Sequence, residues 1–391
     1  MFFEIEELIK MVTTGTFYYL PIHLIAFVLM PLLIRYFYGK GYKPHNSLKS
    51  AKVSVIIPEY GENISIFEKC ISSIAASKPD EIIVVHDDNR KEIDEIAKKY
   101  GVASYFFKER GGKRIALVNG WELAKNDIVI QLDSDEILEK NAIEEIVKPF
   151  EDSTIVAVQG KNIVYDTGSK FANQLSTVVE YNRDWNCKAL NGNLVVADGR
   201  FNAWRKEFLL KHKDGFLNDK WFGENSVIGD DRWLTQAANA EGYKTVYQNT
   251  AVAATASPES YLKYIKQQLR WMRSGYKFLY TDFKKKLPSK IFWLYTYLQV
   301  AYYLGPFSFA VALIHDGLFS PPISNASWPL IIAISILGSS LIVLLRRCAV
   351  GYFKLNTYDL FRLGFSALFI EYPTSIYALL TVKKQENWGT R

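Results

Sequence analysis

Short apolar runs and amphipathic stretches alternate through the middle of the chain. Residues 53–58, 81–85 and 128–132 are apolar runs of the length typical of buried strands. Between the first two runs, residues 64–76 repeat apolar positions at helical spacing. Buried strands that alternate with helices predict an α/β domain with a mostly parallel, doubly wound sheet. Ligands of such sheets bind beyond the carboxyl ends of the strands, so the residues that follow each strand are the first candidates for a site.

Much longer apolar runs flank this domain. Residues 16–38 contain one Arg, one His and no acid, and at ~1.5 Å per residue they are long enough to cross a ~30 Å hydrocarbon core. Two further spans are predicted within residues 290–345. The next segment, residues 346–382, carries Glu371 and Pro373 inside its apolar run. Because an acid inside lipid is costly, this segment is interpreted as re-entrant or interfacial.

Lysines and arginines predict how these spans are oriented. They cluster after the first and third spans, whereas residues 316–327, between the second and third, contain none. The positive-inside rule then places the large middle domain in the cytoplasm and predicts a multi-pass protein of the plasma membrane. The net charge of +6 suits an anionic lipid surface as well as it suits nucleic acid. A lipid bilayer is the predicted partner, and nucleic acid is not.

These patterns divide the chain into seven segments. They are an extracytoplasmic N-terminus at 1–15, a span at 16–38, a cytoplasmic domain at 52–259, an amphipathic interfacial helix at 260–289, two spans within 290–345, the re-entrant or interfacial segment at 346–382 and a tail at 383–391. The three cysteines form no CxxC pair, which indicates neither a disulfide framework nor a thiolate metal site.

Acidic residues follow three of the predicted strands. Tyr60 and Glu62 come after the first, Asp88 after the second, and Asp133 and Asp135 after a later one. Any one acid could cap a helix, but carboxylates gathered at one edge repel each other unless a cation or hydrogen-bond donors compensate. Two carboxylates one residue apart can face a single ion, and hard oxygen ligands favour Mg²⁺ or Mn²⁺.

A basic, glycine-containing turn follows at Gly111-Gly112-Lys113-Arg114. Glycines free backbone N–H groups, and the basic residues suit a diphosphate, although an exposed basic turn is the alternative. The chain has no GxxxxGK[ST] motif and no GxGxxG after its first strand. A P-loop ATPase and a dinucleotide oxidoreductase are therefore disfavoured.

Two later motifs add candidate chemistry. Asp230 and Asp231 stand beside a basic residue, which is typical either of a solvated turn or of a general base whose pKa its neighbours set. Gln267, Arg270 and Trp271 lie in a stretch of helical periodicity that fits an interfacial amphipathic helix. Its basic outer positions are Lys263, Lys266, Arg273 and Lys277. Arg and Trp together also suit phosphate pairing and stacking on a sugar face.

Taken in order, these motifs resemble the processive, membrane-embedded branch of glycosyltransferase family 2. Within it the chain is most similar to hyaluronan synthases and related capsular polysaccharide synthases, with chitin synthases and rhizobial chito-oligosaccharide synthases close behind. The ordered motifs that carry the resemblance are Asp87-Asp88-Asn89, Asp133-Ser134-Asp135, Gly229-Asp230-Asp231 and Gln267-x-x-Arg270-Trp271. The similarity to these synthases in particular comes from Gly112-Lys113-Arg114 and the closing Trp388-Gly389-Thr390-Arg391. The resemblance implies a GT-A catalytic domain joined to an all-α transmembrane region. It also implies a UDP-sugar donor, Mn²⁺ or Mg²⁺, inversion at the anomeric carbon, a growing β-linked polysaccharide as acceptor and extrusion of the product.

The resemblance also implies roles for single residues. Asp231 is the base that takes the acceptor proton, with Asp230 beside it. Asp133 and Asp135 hold the metal, and Asp135 is the more direct ligand. The implied nucleotide-sugar site consists of Tyr60, Glu62, Asp88, Lys113, Asp133, Arg270, Trp388 and Arg391. The implied acceptor site consists of Gly199, Arg205, Gln267 and Trp271.

Two features complete the expectations. The residues Trp388 to Arg391 are expected to close over the bound nucleotide, with Arg391 pairing with phosphate. Asp198 stands where relatives carry a small residue before Gly199, which leaves the acceptor and sugar specificity open. The alternatives are an enzyme that loads a single sugar onto a polyprenyl phosphate, and a membrane receptor or scaffold that retains the fold without the chemistry. The identity of the sugars, the linkage, the primer and the oligomeric state are left open.

Overall fold

A computed structural model describes residues 19–47, 51–87, 90–108, 111–165, 169–285, 292–319 and 357–383. The chain divides into two compact units. The larger unit consists of residues 38–292 and 382–391, and the smaller unit consists of residues 1–37 and 293–381.

The larger unit is built on an eight-stranded sheet with the order β3-β2-β1-β4-β7-β6-β10-β5. The strands of this sheet are β1 Val53–Glu59, β2 Glu81–His86, β3 Ala103–Phe106, β4 Ile128–Leu132, β5 Ile137–Leu138, β6 Ile155–Tyr165, β7 Phe201–Arg205 and β10 Lys244–Ala256. A separate two-stranded hairpin consists of β8 Lys220–Trp221 and β9 Glu224–Asn225. The three strands that the apolar runs predict are confirmed as β1, β2 and β4.

Parallel pairing dominates one half of the sheet. β1 pairs in parallel with β2 and β4, and β2 pairs in parallel with β3. β7 runs antiparallel to β4, with Leu132 opposite Phe201 and Ile128 opposite Arg205. The start of β7 therefore lies at the carboxyl edge of β4, and its end lies at the opposite edge of the sheet. The sheet is mostly parallel, as the sequence predicts.

Helices cover both faces of the sheet. The helices of the larger unit are α3 Ile64–Ala76, α4 Lys91–Lys99, α5 Gly112–Leu123, α6 Ala142–Val147, α7 Lys170–Ala189, α8 Lys206–Leu217, α9 Asp230–Ala240 and α10 Tyr261–Lys285. The two helices that precede them in the sequence are α1 Tyr19–His23 and α2 Met30–Gly39, which belong mainly to the smaller unit. Along β1, Val55 and Ile57 belong to one buried apolar cluster and Ile56 to another. Burial on both faces explains why the parallel strands read as continuous apolar runs.

Helix α3 begins where its sequence predicts. The side chain of Asn63 accepts hydrogen bonds from the backbone N–H groups of Ser65 at 2.9 Å and Ile66 at 3.4 Å. Capping of this kind satisfies donors that have no partner within the helix. Phe67, Cys70, Ile71 and Ile74 are the buried residues of this helix.

Helix α10 corrects one expectation for the amphipathic stretch. Lys277, expected on a basic outer face, is 2% exposed. Its Nζ lies 2.5 Å from Asp219 Oδ2 and 2.7 Å from Ser226 Oγ. The ammonium is tolerated in the interior because a carboxylate and a hydroxyl replace its water.

Every described residue of the smaller unit except Thr381 lies in a helix. A π-helical segment, Leu24–Leu29, joins α1 to α2. The later helices are α11 Phe292–Phe319, α12 Thr357–Ser366, a π-helical segment Ala367–Glu371 and α13 Tyr372–Leu380. The first helical stretch meets α11 through His23, whose Nδ1 lies 3.0 Å from Ser308 Oγ, and through the hydroxyl of Tyr297, which donates to the carbonyl of Ala26.

Within the described ranges, no helix combines the length and the apolar character needed to cross a bilayer. The third predicted span, residues 328–345, lies outside the described residues.

Candidate active site

Lys113 stands at the centre of the candidate site, in the first turn of α5. Its Nζ lies 2.6 Å from Asp133 Oδ1, 3.6 Å from Asp230 Oδ2 and 3.4 Å from the carbonyl of Gly199. Burial alone would lower the pKa of Lys113, but the carboxylates of Asp133 and Asp230 outweigh it and raise the pKa above its ordinary value. Lys113 is therefore a permanent cation that joins three motifs separated in sequence.

The next residue, Arg114, has a structural role. Its guanidinium donates to the carbonyls of Phe216 at 2.5 Å and Ile228 at 3.2 Å, and to Asp219 at 3.1 Å. It is 5% exposed. Of the two basic residues that the sequence offered to a diphosphate, only Lys113 faces the acidic cluster, and Arg114 instead fixes the segment that leads to α9.

Asp133 and Asp135 follow β4, as predicted. Asp133 accepts from Lys113 and its backbone N–H donates to the carbonyl of Arg200 at 3.0 Å. Asp135 is 5% exposed, and the hydroxyl of Tyr165 donates to its carbonyl at 3.0 Å. The pair occupies the carboxyl edge of the sheet, which is where the topology places ligands.

The residues around Asp133 and Asp135 decide whether a divalent cation fits. Among the described residues, no three His, Cys, Asp or Glu side chains form a group that could hold a metal ion. Burial raises the pKa of the adjacent Glu136 well above its usual range, and the Asp135 carboxylate adds to the rise. A cation held by one or two carboxylates, with substrate phosphates and water completing its shell, is the arrangement that Mg²⁺ commonly adopts. The two aspartates fit an ion shared with a substrate diphosphate.

Asp230 and Asp231 are the first two residues of α9, and the glycine before them allows the backbone conformation that starts the helix. Gly229 caps the helix with φ of 73°, a conformation that favours glycine. A Cβ at Gly229 would also clash with Ser274 Oγ and the ring of Phe278, both on α10. The first turn of α9, with both acids, is thereby held close against α10.

Asp231 has the properties of a general base. Its carboxylate accepts from the backbone N–H of Gly199 at 3.2 Å and from that of Arg232 at 2.7 Å. Burial raises the pKa of Asp231 to about 6, and the carboxylates of Asp230 and Asp198 add to the rise while Lys113 opposes it. A carboxylate whose pKa lies near neutrality is well matched to proton transfer at physiological pH.

Gly199 connects the acidic groups to the predicted acceptor side. A Cβ at this position would lie 3.3 Å from Asp231 Cβ, 3.4 Å from Lys113 Nζ and 3.5 Å from Asp230 Oδ2. The loop before β7 is held tightly, since Thr235 Oγ1 accepts from Ala197 N at 2.8 Å and Gln159 accepts from Asp198 N at 3.2 Å. We call residues 197–200 the acceptor-side loop.

Three predicted residues lie on α10. Gln267, Arg270 and Trp271 are all partly buried there. The guanidinium carbon of Arg183 lies 4.4 Å from the ring centre of Trp271, and that of Arg200 lies 5.6 Å from it. Trp271 is therefore tied to the acceptor-side loop through Arg200.

Arg205 is not brought to this cluster. It ends β7 opposite Ile128, at the far edge of the sheet from Asp133. Its guanidinium donates to the carbonyl of Ile155 at 2.8 Å, of Phe150 at 3.0 Å and of Asp152 at 3.2 Å. The predicted acceptor role of Arg205 has no support in this placement, because three backbone carbonyls hold its guanidinium elsewhere.

The predicted nucleotide pocket begins after β1. Tyr60 follows the strand directly, and Glu62 is 8% exposed. Arg90, which the sequence did not single out, forms an ion pair with Glu59 and donates to the carbonyl of Glu62 at 2.7 Å. Arg90 thus fixes the turn that carries Tyr60 and Glu62, at the same edge of the sheet as Asp133. Asp88 lies outside the described residues.

Val382 and Lys383, which precede the closing motif, contact the hairpin of β8 and β9. Trp221 Nε1 donates to the carbonyl of Val382 at 3.1 Å. The Nζ of Lys383 lies 5.2 Å from the ring centre of Phe222. The predicted tail residues Trp388 and Arg391 lie outside the described residues.

The sequence also missed an ion network behind Trp271. Its members are Glu180, Arg183, Asp198 and Arg200. Asp198 drew attention as a departure from relatives, but its partners Glu180 and Arg183 lie on α7, which carried no recognised motif. In the structure the network is indicated by two buried carboxylates, Glu180 and Asp198, on separate segments. Sequence alone shows neither that these carboxylates are buried nor which arginines reach them.

The chain is similar to known proteins along most of its length. Hyaluronan synthase from Streptococcus pyogenes serotype M1 is 29% identical over 390 aligned residues, which cover 94% of this chain and 89% of that protein. An N-acetylglucosaminyltransferase from Azorhizobium caulinodans is 27% identical and covers 87% of each chain.

Among solved structures, a mannosyltransferase from Pyrobaculum calidifontis, in complex with GDP-Man and Mn²⁺, superimposes with a TM-score of 0.63 at 18% identity. The superposition covers 94% of this chain and 98% of that chain. The likeness confirms the GT-A-like α/β fold of the larger unit. The predicted enzyme class is confirmed by the family model for glycosyltransferase like family 2, which matches residues 51–274. Because that match covers more than half of the chain, the protein belongs to glycosyltransferase like family 2.

Proposed function

We propose that this glycosyltransferase is a membrane-embedded, inverting enzyme that polymerises UDP-activated sugars into a β-linked polysaccharide and extrudes the product. Residues 52–259 form its cytoplasmic catalytic domain in this proposal, and the flanking apolar segments hold it at the plasma membrane. Its similarity to hyaluronan synthase and to an N-acetylglucosaminyltransferase supports a hexosamine-containing product.

One observation carries the proposal. The Nζ of Lys113 lies within 2.6 Å of Asp133, 3.6 Å of Asp230 and 3.4 Å of the Gly199 carbonyl. Donor, base and acceptor motifs therefore meet around one buried cation. A glycosyl transfer requires these three functions within reach of one reacting carbon.

The base in this scheme is Asp231. Its carboxylate takes the proton of the acceptor hydroxyl as that oxygen bonds to the anomeric carbon of the donor. The bond from this carbon to the phosphate oxygen breaks on the opposite side, which inverts the configuration. The backbone N–H groups of Gly199 and Arg232 orient the Asp231 carboxylate for this task.

Negative charge collects on the leaving diphosphate as the bond breaks. Lys113 is positioned to neutralise it, because its ammonium lies beside Asp133 at the carboxyl edge of β4, where the diphosphate would bind. Asp133 and Asp135 would hold Mn²⁺ or Mg²⁺, which supplies further charge neutralisation when bound. Arg270 on α10 adds a second cation.

The nucleotide and acceptor contacts follow the remaining motifs. Tyr60, Glu62 and Asp88 line the nucleotide pocket, while Gly199, Gln267 and Trp271 contact the acceptor. Trp388 and Arg391 close over the bound nucleotide, and Val382 and Lys383 hold the start of that tail on the β8–β9 hairpin.

Release of UDP tests the proposal. Full-length protein purified in detergent with Mn²⁺ receives UDP-GlcNAc, UDP-GlcA and UDP-Glc, singly and in pairs. We expect UDP release with at least one donor, and greater release with a pair would indicate a heteropolymer. Asp135→Asn should lose the activity, whereas Asp214→Asn, on an exposed position of α8, should keep it. Absence of UDP release from every donor and every pair would overturn the proposal.

A further inference from the structure

Asp198 is the hub of a closed ion network. Its carboxylate accepts from Arg183 Nη1 at 2.7 Å, from Arg200 Nε at 2.9 Å and from Arg200 Nη2 at 2.6 Å. Glu180 accepts from the same two arginines, at 3.3 Å from Arg183 and 2.7 Å from Arg200. Two carboxylates thus balance two guanidiniums, and Asp198 is 8% exposed.

The network ends on the ring of Trp271. The guanidinium carbons of Arg183 and Arg200 lie 4.4 Å and 5.6 Å from the ring centre, within the range of a cation–π contact. Arg183 comes from α7, Arg200 from the acceptor-side loop and Trp271 from α10. Because both guanidiniums bond the same Oδ2 of Asp198, this one oxygen determines where the two cations stand beside the ring.

The backbone around Asp198 leads directly to the base. The next residue, Gly199, donates its N–H to Asp231 at 3.2 Å and accepts from Lys113 at 3.4 Å. The carbonyl of Asp198 accepts from Asn202 Nδ2 at 2.9 Å. The loop therefore carries the base contact on its backbone and the Trp271 contact on its side chains.

We propose that Asp198 is a positioning residue for sugar transfer, which holds Arg183 and Arg200 against Trp271 and so fixes this ring relative to Asp231. The inference rests on the proposed function, in which Asp231 is the base and Trp271 contacts the acceptor. In this proposal Asp198 acts through Arg183 and Arg200 and is not a catalytic residue. Loss of its carboxylate leaves two guanidiniums with Glu180 alone, so that Trp271 loses its fixed partners.

The position of Trp271 can be measured without knowledge of the acceptor. The chain has nine tryptophans, and in full-length protein labelled with 5-fluorotryptophan the Trp271 resonance is assigned by its loss in Trp271→Phe. We expect the ¹⁹F resonance of Trp271 to shift or broaden in Asp198→Asn. Asp184→Asn is the matched control, because Asp184 is also buried, lies on α7 and is bonded to Lys188 and Tyr247. An unchanged Trp271 resonance in Asp198→Asn would overturn the proposal.

A double variant separates positioning from stability. Asp198→Asn leaves an excess buried positive charge, and Asp198→Asn with Arg183→Gln restores the charge balance of the network. We expect the double variant to recover the thermal stability of the wild type. Because Arg183 itself contacts the Trp271 ring, the reference for the resonance is Arg183→Gln alone, and we expect the Trp271 resonance of the double variant to stay shifted or broadened relative to that reference, since Arg200 still lacks the Asp198 carboxylate. If Asp198 served only the stability of the fold, the Trp271 resonance of the double variant would coincide with that of Arg183→Gln, and the positioning role would be excluded.

Kinetics give a second readout on the same variants. With the donor that supports UDP release, Asp198→Asn should lower the sugar incorporated per UDP released by about tenfold, because the acceptor is misplaced while the donor site is intact. An unchanged ratio would count against the inference. If the wild type releases no UDP from any donor, the proposed function fails, whereas the Trp271 resonance still decides whether Asp198 positions the ring.

Discussion

Asp231 shows at the level of one residue how the chemistry conflicts with stability. Burial raises the pKa of Asp231 to about 6, with Asp230 and Asp198 adding to the rise. Between the ordinary pKa of an aspartate and about 6, the folded chain binds a proton that the unfolded chain has released. The free energy of unfolding therefore falls as pH rises through this window, and above it the ionised carboxylate destabilises the fold.

Asp231→Asn removes that charge and the base together. We expect transfer to fall by about a hundredfold or more, while the melting temperature at neutral pH stays equal to that of the wild type or rises. UDP release and thermal unfolding of the same preparation check the two effects. Asp214→Asn, at an exposed position, is the control. A variant with wild-type activity would show that Asp231 is not the base.

The same pKa predicts the pH dependence of transfer. The groups that face Asp231 are Asp230 and Asp198, which raise its pKa, and Lys113, which lowers it. Because the base must be ionised, activity should rise as pH rises through about 6 and then level off. Lys113 stays protonated across this range, since its pKa is raised. Initial rates measured in buffers of constant ionic strength would contradict this account if they stayed flat well below pH 6.

Among the helices and strands, the contact between α9 and α10 has the greatest influence on the position of Asp230 and Asp231. Gly229 combines a φ of 73° with a close approach to Ser274 and Phe278. The two acids that follow it are held in place by this contact rather than by their own hydrogen bonds alone. The position of the base therefore depends on the packing of two helices.

Gly229→Ala tests that dependence. Its Cβ would be strained by the backbone and would clash with α10, so we expect a loss of about 2–4 kcal/mol of unfolding free energy and a lower rate of transfer. Gly223→Ala is matched in backbone, with φ of 89°, but an added Cβ there meets nothing within 4 Å. Denaturant unfolding should show only about 1 kcal/mol of loss for that control. Equal losses in both variants would mean that the contact with α10 contributes nothing.

Sequence patterns predicted those elements whose signal is local. The apolar runs of β1, β2 and β4 and the amphipathic α3 were identified, because strand and helix periodicity are properties of neighbouring residues. The acids that follow the strands were found from the strand ends. The buried position of Lys277 and the position of Arg205 away from the site were not predicted. The partner of Lys277, Asp219, is 58 residues away in sequence, and Arg205 was separated from the site by the antiparallel insertion of β7. Such pairings follow from topology, which a single sequence specifies only weakly.

At the scale of the whole molecule, the closing motif lies far in sequence from the residues it is proposed to cover. Deletion of Trp388 to Arg391 should abolish transfer while leaving the melting temperature and membrane insertion unchanged. Alkaline extraction of membranes and thermal unfolding provide the checks, and Lys384→Ala, just before the motif, is the control. Full activity in the truncated protein would contradict a role in closing the site.

In the proposed function, one site adds many sugars to the same chain. The most direct measurement follows product length over time, with purified enzyme, Mn²⁺ and the radiolabelled donor that supports UDP release. We expect long chains at early times, when most of the donor is still unused, and no such chains with Asp231→Asn. A chloroform-soluble product that carries a single sugar, at every time point, would contradict polymerisation and would identify a single-transfer enzyme.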